Sequence, residues 1–305
     1  MAANTPKILE DSGGRHVVIL ANPKAGSRSR LQAVDELIEN LASRGLQPAL
    51  CWERESFSEQ LKKTDGLIRC VVAAGGDGTL QEVINRAPGL PISILPLGNE
   101  NLLARHFHVA RSGKELVETI MHGHSKKLDL GRVNGRIFSL MAGIGFDAEV
   151  VHRIHQSRLG HINKLSYVWP ILKTLHDYAF PAMEAEIMDT GERLQGAMAF
   201  VFNFPEYGLR LPIAPEATPD DGLLNLCVFE QPGIGALLRY LDAVVRGRQG
   251  QRSDIQCRLV KRVRFWSQYP VPLQLDGDPA GWLPAAVEVL PAALSLVVPT
   301  GRVGA

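Results

Sequence analysis

Residues 73–82 read AAGGDGTLQE: an apolar run ends in two glycines, an aspartate, a third glycine and a threonine. Gly75, Gly76 and Gly78 permit positive φ and close approach of backbone, which a phosphate-cradling loop requires. Thr79 opens a helical pattern, and a helix N-terminus offers unpaired N–H groups and a positive dipole end to an anion. Asp77 repels a phosphate, so its chemical use in such a loop is to hold a divalent cation or to orient water. The same residues also make a plain strand-to-helix turn with Asp77 and Thr79 as caps. Asn22-Pro23-Lys24-Ala25-Gly26 follows an earlier apolar run directly, and PLGNEN at 96–101 follows a later one. Taken singly, each of these is as readily a surface turn as a ligand loop.

The elements that must carry them decide between those readings. Short β-branched runs alternate with helical patterns through the first ~125 residues, which predicts a parallel sheet flanked by helices. HVVIL (16–20), QPALCWE (47–53), LIRCVVAA (67–74) and PISIL (91–95) read as strands. Helices are expected over about Ser29–Arg44, Phe57–Lys63, Thr79–Arg86, from near Asn101, and over Lys114–His122. In this topology NPKAG, GGDGT and PLGNEN all leave the same edge of the sheet, where open α/β sheets bind ligands. Three glycine-bearing loops on one edge make a nucleotide cleft. From about Lys126 the rhythm changes. KKLDLGRVNGRIFSLMAG reads as a hairpin turned by Asn134-Gly135, followed by one long amphipathic helix, about Leu159–Tyr178. Strands near 182–188, 197–204, 223–229, 256–266, 271–275 and 286–290, with a helix at about Ile234–Arg246, make a mostly antiparallel β domain. The division expected is 1–125 for a nucleotide-binding α/β domain, on which the chain end can pack back, and 126–305 for a β-sandwich domain.

At 305 residues there is enough chain for two domains, each with its own core. With 33 Lys+Arg against 32 Asp+Glu, the net charge of +1 gives no global footprint for nucleic acid. Cys51, Cys70, Cys227 and Cys257 stand singly and read as reduced thiols of a cytoplasmic chain. The polar N-terminus has no apolar core of a secretory signal. The apolar stretch from Ala280 to Pro299 is broken by prolines at 284, 291 and 299, which rules out a spanning helix. The histidine pairs His106/His108 and His122/His124 lack a third ligand at useful spacing.

NPKAG, GGDGTL, PLGNENLLAR, LDLGRVNGRIFSLMAGIGFDAEVV, IAPEATPDDGLLNLCVF and QLDGDPAG occur in the order and spacing of the diacylglycerol kinase catalytic-domain superfamily. The chain resembles its bacterial lipid kinases, relatives of sphingosine and ceramide kinases, over nearly its whole length. That resemblance implies an N-terminal domain like those of 6-phosphofructokinases and NAD kinases, a C-terminal β-sandwich, and ATP bound between them. It implies ATP contacts from Asn22, Pro23, Lys24, Ala25 and Gly26, and from Gly75, Gly76, Asp77, Gly78, Thr79, Leu80, Gln81 and Glu82. Gly98, Asn99 and Asn101 match the family's GTxND loop, with Asn99 in place of its threonine and Leu102 in place of its aspartate. Glu53 replaces a nucleotide-contacting threonine. Asp129 matches an aspartate that shares a water and Mg²⁺ network with Asp77. Thr218, Asp221 and Leu223 match a second-domain Mg²⁺ site built partly from backbone carbonyls, and Asp278 matches the general base, a glutamate in other members.

The expected activity is therefore transfer of the ATP γ-phosphoryl group to a lipid hydroxyl, with Mg²⁺, at the inner face of a membrane. An NAD kinase-like enzyme and a non-catalytic nucleotide- or lipid-binding relative are the alternatives. RLGHINKLSYVWPILKTLHDY, from Arg158, reads either as a core face or as a surface touching the bilayer. The basic clusters Lys126-Lys127, Arg246/Arg248/Arg252 and Lys261-Arg262/Arg264 read either as solvated faces or as attraction for anionic lipid. Nothing in the sequence sets the oligomeric state, and a homodimer stays open.

Overall fold

The computed structural model describes residues 7–8, 14–23, 28–156, 168–205 and 211–300. The chain divides into two compact units. One runs up to Leu128 and takes in the chain again from Ala292; the other comprises Asp129–Pro291.

The first unit follows the order β1 (Lys7–Ile8), β2 (His16–Ala21), α1 (Arg28–Ser43), β3 (Gln47–Cys51), α2 (Arg54–Lys63), β4 (Ile68–Gly75), α3 (Asp77–Arg86), β5 (Pro91–Pro96), α4 (Leu102–His106) and α5 (Gly113–His122). β2 pairs in parallel with β3 on one side and β4 on the other, and β4 pairs in parallel with β5. Val17, Val18 and Ile19 of β2 and Val71 and Val72 of β4 are all fully buried. Strands covered on both faces need apolar residues at every position, hence the unbroken runs in the sequence. On one face Val17, Ile19 and Val72 pack with Leu37 and Leu41 of α1 and Ile120 of α5. The chain leaves β2 first toward β3 and then crosses to β4 on the other side. Such a reversal is where an α/β sheet leaves a crevice beyond its strand ends.

β6 (His124–Val133) leads into the second unit, where β7 (Arg136–Phe138) folds back on it through Asn134 (φ 48°) and Gly135 (φ 86°), the expected turn. Next come β8 (Met141–Gly145), α6 (Phe146–Gln156), α7 (Val168–Asp177), β9 (Met183–Ile187), β10 (Arg193–Gly196), β11 (Met198–Phe202) and β12 (Leu224–Phe229). α8 (Ile234–Val245), β13 (Ile255–Val260), β14 (Arg262–Trp266), β15 (Pro272–Leu275), β16 (Asp278–Trp282) and β17 (Ala285–Val298) complete the chain. One antiparallel sheet runs β13-β12-β11-β8-β15-β16. A second runs β10-β9-β14 and on to Ala285–Glu288 of β17. Ile144, Leu226 and Leu273 of the first sheet share one core with Ala185, Ile187 and Phe265 of the second, which makes a β-sandwich.

Three elements differ from the sequence expectation. α6 begins at Phe146, between the expected hairpin and the expected long helix where no element was assigned, because Phe146, Val150 and Ile154 recur at helical spacing on a buried face. Residues 157–167, which include the first part of the bilayer-contact stretch, lie outside the described residues. The single strand expected over 256–266 is two, β13 and β14, in different sheets, separated at Lys261. The strand expected to end near 290 runs on to Val298, and Ser295 and Leu296 pair in parallel with Pro91 and Ile92. Among the described residues, no helix is long and apolar enough to cross a membrane.

Candidate functional site

In the first unit the ends of β2, β4 and β5 are tied together by backbone. The Asn22 N–H donates to the Ala74 carbonyl at 3.0 Å, and the Gly75 carbonyl accepts from Leu97 at 2.8 Å and Gly98 at 3.1 Å. Gly76 is the N-cap of α3, and its carbonyl accepts from Thr79 and Leu80. Space dictates glycine here: a Cβ on Gly98 would lie 2.6 Å from Gly76 Cα, and one on Gly75 would lie 2.1 Å from Thr79 Oγ1. Asp77 stands half-buried in the first turn of α3, and its Oδ1 accepts the Leu102 N–H at 2.9 Å. It therefore links the loop after β4 to the loop after β5. Leucine at 102 leaves that link intact, because the backbone N–H makes it.

Asn101 turns the chain into α4 from the left-handed region (φ 47°, ψ 56°), and its Nδ2 donates to the Gly98 carbonyl at 2.8 Å. Arg111, which the sequence did not single out, donates to the Gly98 carbonyl at 3.1 Å and the Asn99 carbonyl at 3.4 Å. Among the other expected nucleotide contacts, Pro23 and Gly78 are exposed, while Thr79, Leu80 and Gln81 are buried in α3. Glu82 is ion-paired with Arg54 at 3.4 Å and with Arg86, so its carboxylate is committed to the α2 side of the helix. Lys24, Ala25 and Gly26 lie outside the described residues. The result is a backbone-lined edge carrying the Asp77 carboxylate and the N-terminus of a ten-residue helix, the end of a helix that favours an anion.

In the second unit, Asp129 and Asp278 belong to one hydrogen-bonded frame. Asp129 is buried; its N–H donates to the Pro219 carbonyl and its Oδ2 accepts the Gly222 N–H, both at 2.6 Å. Its carbonyl accepts Asn203 Nδ2 at 2.8 Å, and the same nitrogen donates to the Ser139 carbonyl at 2.8 Å. Ser139 in turn donates to Asp276 Oδ2 through its N–H (2.7 Å) and hydroxyl (3.0 Å), while Leu140 and Met141 donate N–H groups to Oδ1 at 2.9 Å. Burial pushes the Asp276 carboxyl above the usual carboxylate range, against the pull of these four donors. Asp276 (φ 49°) and Gly277 (φ 87°) are the two central residues of the turn from β15 to β16, a pair of positive φ values that defines a type I′ hairpin. Asp278 follows at once, half-buried and paired with Leu275. Gln274 holds the turn from beneath: its Oε1 accepts the Gly277 N–H at 2.8 Å and its Nε2 donates to Asp147 Oδ2 at 2.8 Å. Sequence reading missed Asp276, Asn203, Asp147 and Gln274; the one available signal was Asp-Gly between two strands.

Thr218, Asp221 and Leu223 share the loop that Asp129 pins through Gly222. Asp221 Oδ1 accepts the Leu223 N–H at 2.9 Å, an Asx turn, and Thr218 Oγ1 donates to the Glu216 carbonyl at 3.2 Å. Among the described residues, no cluster of three or more His, Cys, Asp or Glu side chains can hold a metal. One carboxylate plus loop carbonyls is a different kind of site. Its donors are all oxygen, and so few of them fit Mg²⁺, which keeps several of its waters.

Residues 16–133 match the model of the diacylglycerol kinase catalytic domain, and residues 141–298 match that of the YegS C-terminal NAD kinase beta sandwich-like domain. A curated protein from Staphylococcus carnosus named diacylglycerol kinase is 24% identical over 280 residues, 88% of this chain and 90% of its own. One of the same name from Mycobacterium tuberculosis is 27% identical over 301 residues, 93% of this chain and 95% of its own. A crystal structure titled as a diacylglycerol kinase from Bacillus anthracis str. Sterne superposes with a TM-score of 0.71 at 22% identity, covering 93% of this chain and 97% of that one.

Proposed function

Since this chain belongs to the diacylglycerol kinase catalytic-domain superfamily, whose members phosphorylate an alcohol acceptor, we propose that it transfers the γ-phosphoryl group of ATP to the hydroxyl of a diacylglycerol-like membrane lipid. The observation that carries this reading is the glycine edge of the first unit, where Gly75 and Gly98 have no room for a side chain and Asp77 bridges two loops. An edge of that kind lets phosphate oxygens reach backbone N–H groups and the positive end of α3.

ATP phosphates lie on this edge, in contact with the backbone of residues 75–79 and 98–101. The lipid hydroxyl oxygen attacks the γ-phosphorus, the bond to the bridging oxygen breaks, and ADP leaves. Asp278 accepts the hydroxyl proton. Its place directly after a turn clamped by Asp276 and Gln274 gives the carboxylate a fixed origin, and positioning is what a base and an in-line transfer need most. Asp221, with the carbonyls of Thr218 and Leu223, would hold Mg²⁺, which when bound would supply positive charge to the reaction. Asp129 sets the shape of that loop through Gly222.

Asp278→Asn keeps shape and removes proton acceptance. Turnover with ATP and diacylglycerol should fall by about 10²–10⁴-fold with ATP affinity unchanged, and Asp278→Glu should retain appreciable turnover. Near-normal turnover by a folded Asp278→Asn protein would remove Asp278 from the role of base.

A further inference from the structure

α8 is apolar on two faces. Ala236, Tyr240, Ala243 and Val244 are buried, and the Tyr240 ring packs edge-on against Phe229 of β12 with centroids 5.0 Å apart. The Tyr240 hydroxyl also accepts the Gln231 N–H at 2.9 Å, so the rotation of the helix about its axis is set. That rotation turns a second set outward: Ile234 (44% exposed), Leu238 (58%), Leu241 (45%) and Val245 (66%). Spacings of four, three and four residues put these aliphatic side chains in one stripe along the helix. A continuous stripe of large aliphatics facing water marks a surface that meets something.

The charges beside it say what. Residues 234–252 contain four arginines and a single acid, Asp242. Arg239, Arg246 and Arg248 are exposed; Arg246 is tied to Asp242 at 2.7 Å, and Arg252 is held by Asp254 over the Tyr240 ring. A second copy of this chain docking by the same patch would bring arginines against arginines. An anionic lipid surface instead takes the aliphatic stripe among its acyl chains and the arginines among its headgroups.

We propose that the exposed face of α8 is the surface by which the protein docks on anionic membranes, lying in the interface with Leu238 and Leu241 inserted. This rests on the lipid-kinase reading, in which the acceptor resides in a bilayer. Docking and chemistry are separable: α8 sits over β12, four strands from β16 and Asp278 in the sheet order, or roughly 19 Å at the usual strand spacing.

The test is sedimentation with vesicles of phosphatidylcholine, with and without phosphatidylglycerol. Wild type should bind the anionic vesicles preferentially. Leu238→Asp/Leu241→Asp should weaken that partition by about 100-fold. Arg239→Glu/Arg248→Glu should weaken it at least about tenfold and abolish the preference for phosphatidylglycerol. Circular dichroism and melting confirm that the variants are folded. Unchanged partition of both variants, or no vesicle binding by wild type, would overturn the proposal. A wild-type dimer that Leu238→Asp/Leu241→Asp converts to monomer without loss of vesicle binding would also overturn it. A water-soluble short-chain diacylglycerol separates the two readings: wild type and variants should phosphorylate it equally. If none transfers phosphate to it while partition changes as expected, the kinase reading fails and the docking surface stands.

Discussion

Asp276→Ala tests whether the frame beneath Asp278 is as tightly held as its geometry indicates. The substitution strips the acceptor from three backbone N–H groups, at Ser139, Leu140 and Met141, and from the Ser139 hydroxyl. A buried donor left without a partner costs about 1–3 kcal/mol. Three such groups, with some relief from water entering the space, amount to about 3–6 kcal/mol. For a unit of this size each kcal/mol lowers the melting temperature by about 2–4 °C, so calorimetry should show a fall on the order of 10 °C. Hydrogen exchange should accelerate most at the Leu140 and Met141 amides. A variant melting within about 2 °C of wild type, with those amides still protected, would refute the reasoning. Asp276→Asn adds a pH arm. Burial raises the native carboxyl pKa above its unfolded value, so the fold favours the neutral form. That contribution is complete below the unfolded pKa of about 4 and is lost as pH rises through the raised native value. The asparagine stays neutral throughout, and the stability difference should therefore shift toward the variant as pH rises across that window.

Gly98→Ala should disturb nucleotide binding, because its Cβ would stand 2.6 Å from Gly76 Cα and backbone must move; titration with ATP should show at least about tenfold weaker binding, a loss of about 1.4 kcal/mol, and unchanged affinity would mean phosphates do not use this edge. Asp221→Ala should lower activity and blunt the Mg²⁺ response, so added Mg²⁺ raises the melting temperature of wild type more than that of the variant; equal responses would exclude this loop as the Mg²⁺ site.

What the sequence made legible follows from how local each signal is. The strand–GGDG–helix passage could be read because a continuous apolar run, glycines and a helix start all lie within fifteen residues. The Asn134-Gly135 turn could be read because the dipeptide itself carries the hairpin signature. By contrast, the tie from Asp129 through Asn203 and Ser139 to Asp276 joins residues up to 137 positions apart, which no periodicity encodes. Glu82 fell inside the glycine-loop motif, yet helical rotation carries its carboxylate to Arg54 and Arg86. α8 was visible as a helix, but which of its two apolar stripes faces the core depends on the Phe229–Tyr240 contact, a tertiary fact. β13 and β14 read as one strand because Lys261 breaks no local rule; the change of sheet happens in space.

The central claim is phosphoryl transfer to a lipid hydroxyl, and the most direct measurement is label transfer from γ-labelled ATP. Purified protein is incubated with Mg²⁺ and, in parallel, with diacylglycerol, a sphingoid base, phosphatidylglycerol and a glycolipid in mixed micelles, and with NAD in solution. The account expects label in a chloroform-soluble phospholipid product from at least one lipid, diacylglycerol first, and none in NADP. Label in NADP alone, or ATP binding with no labelled product from any acceptor, would contradict it.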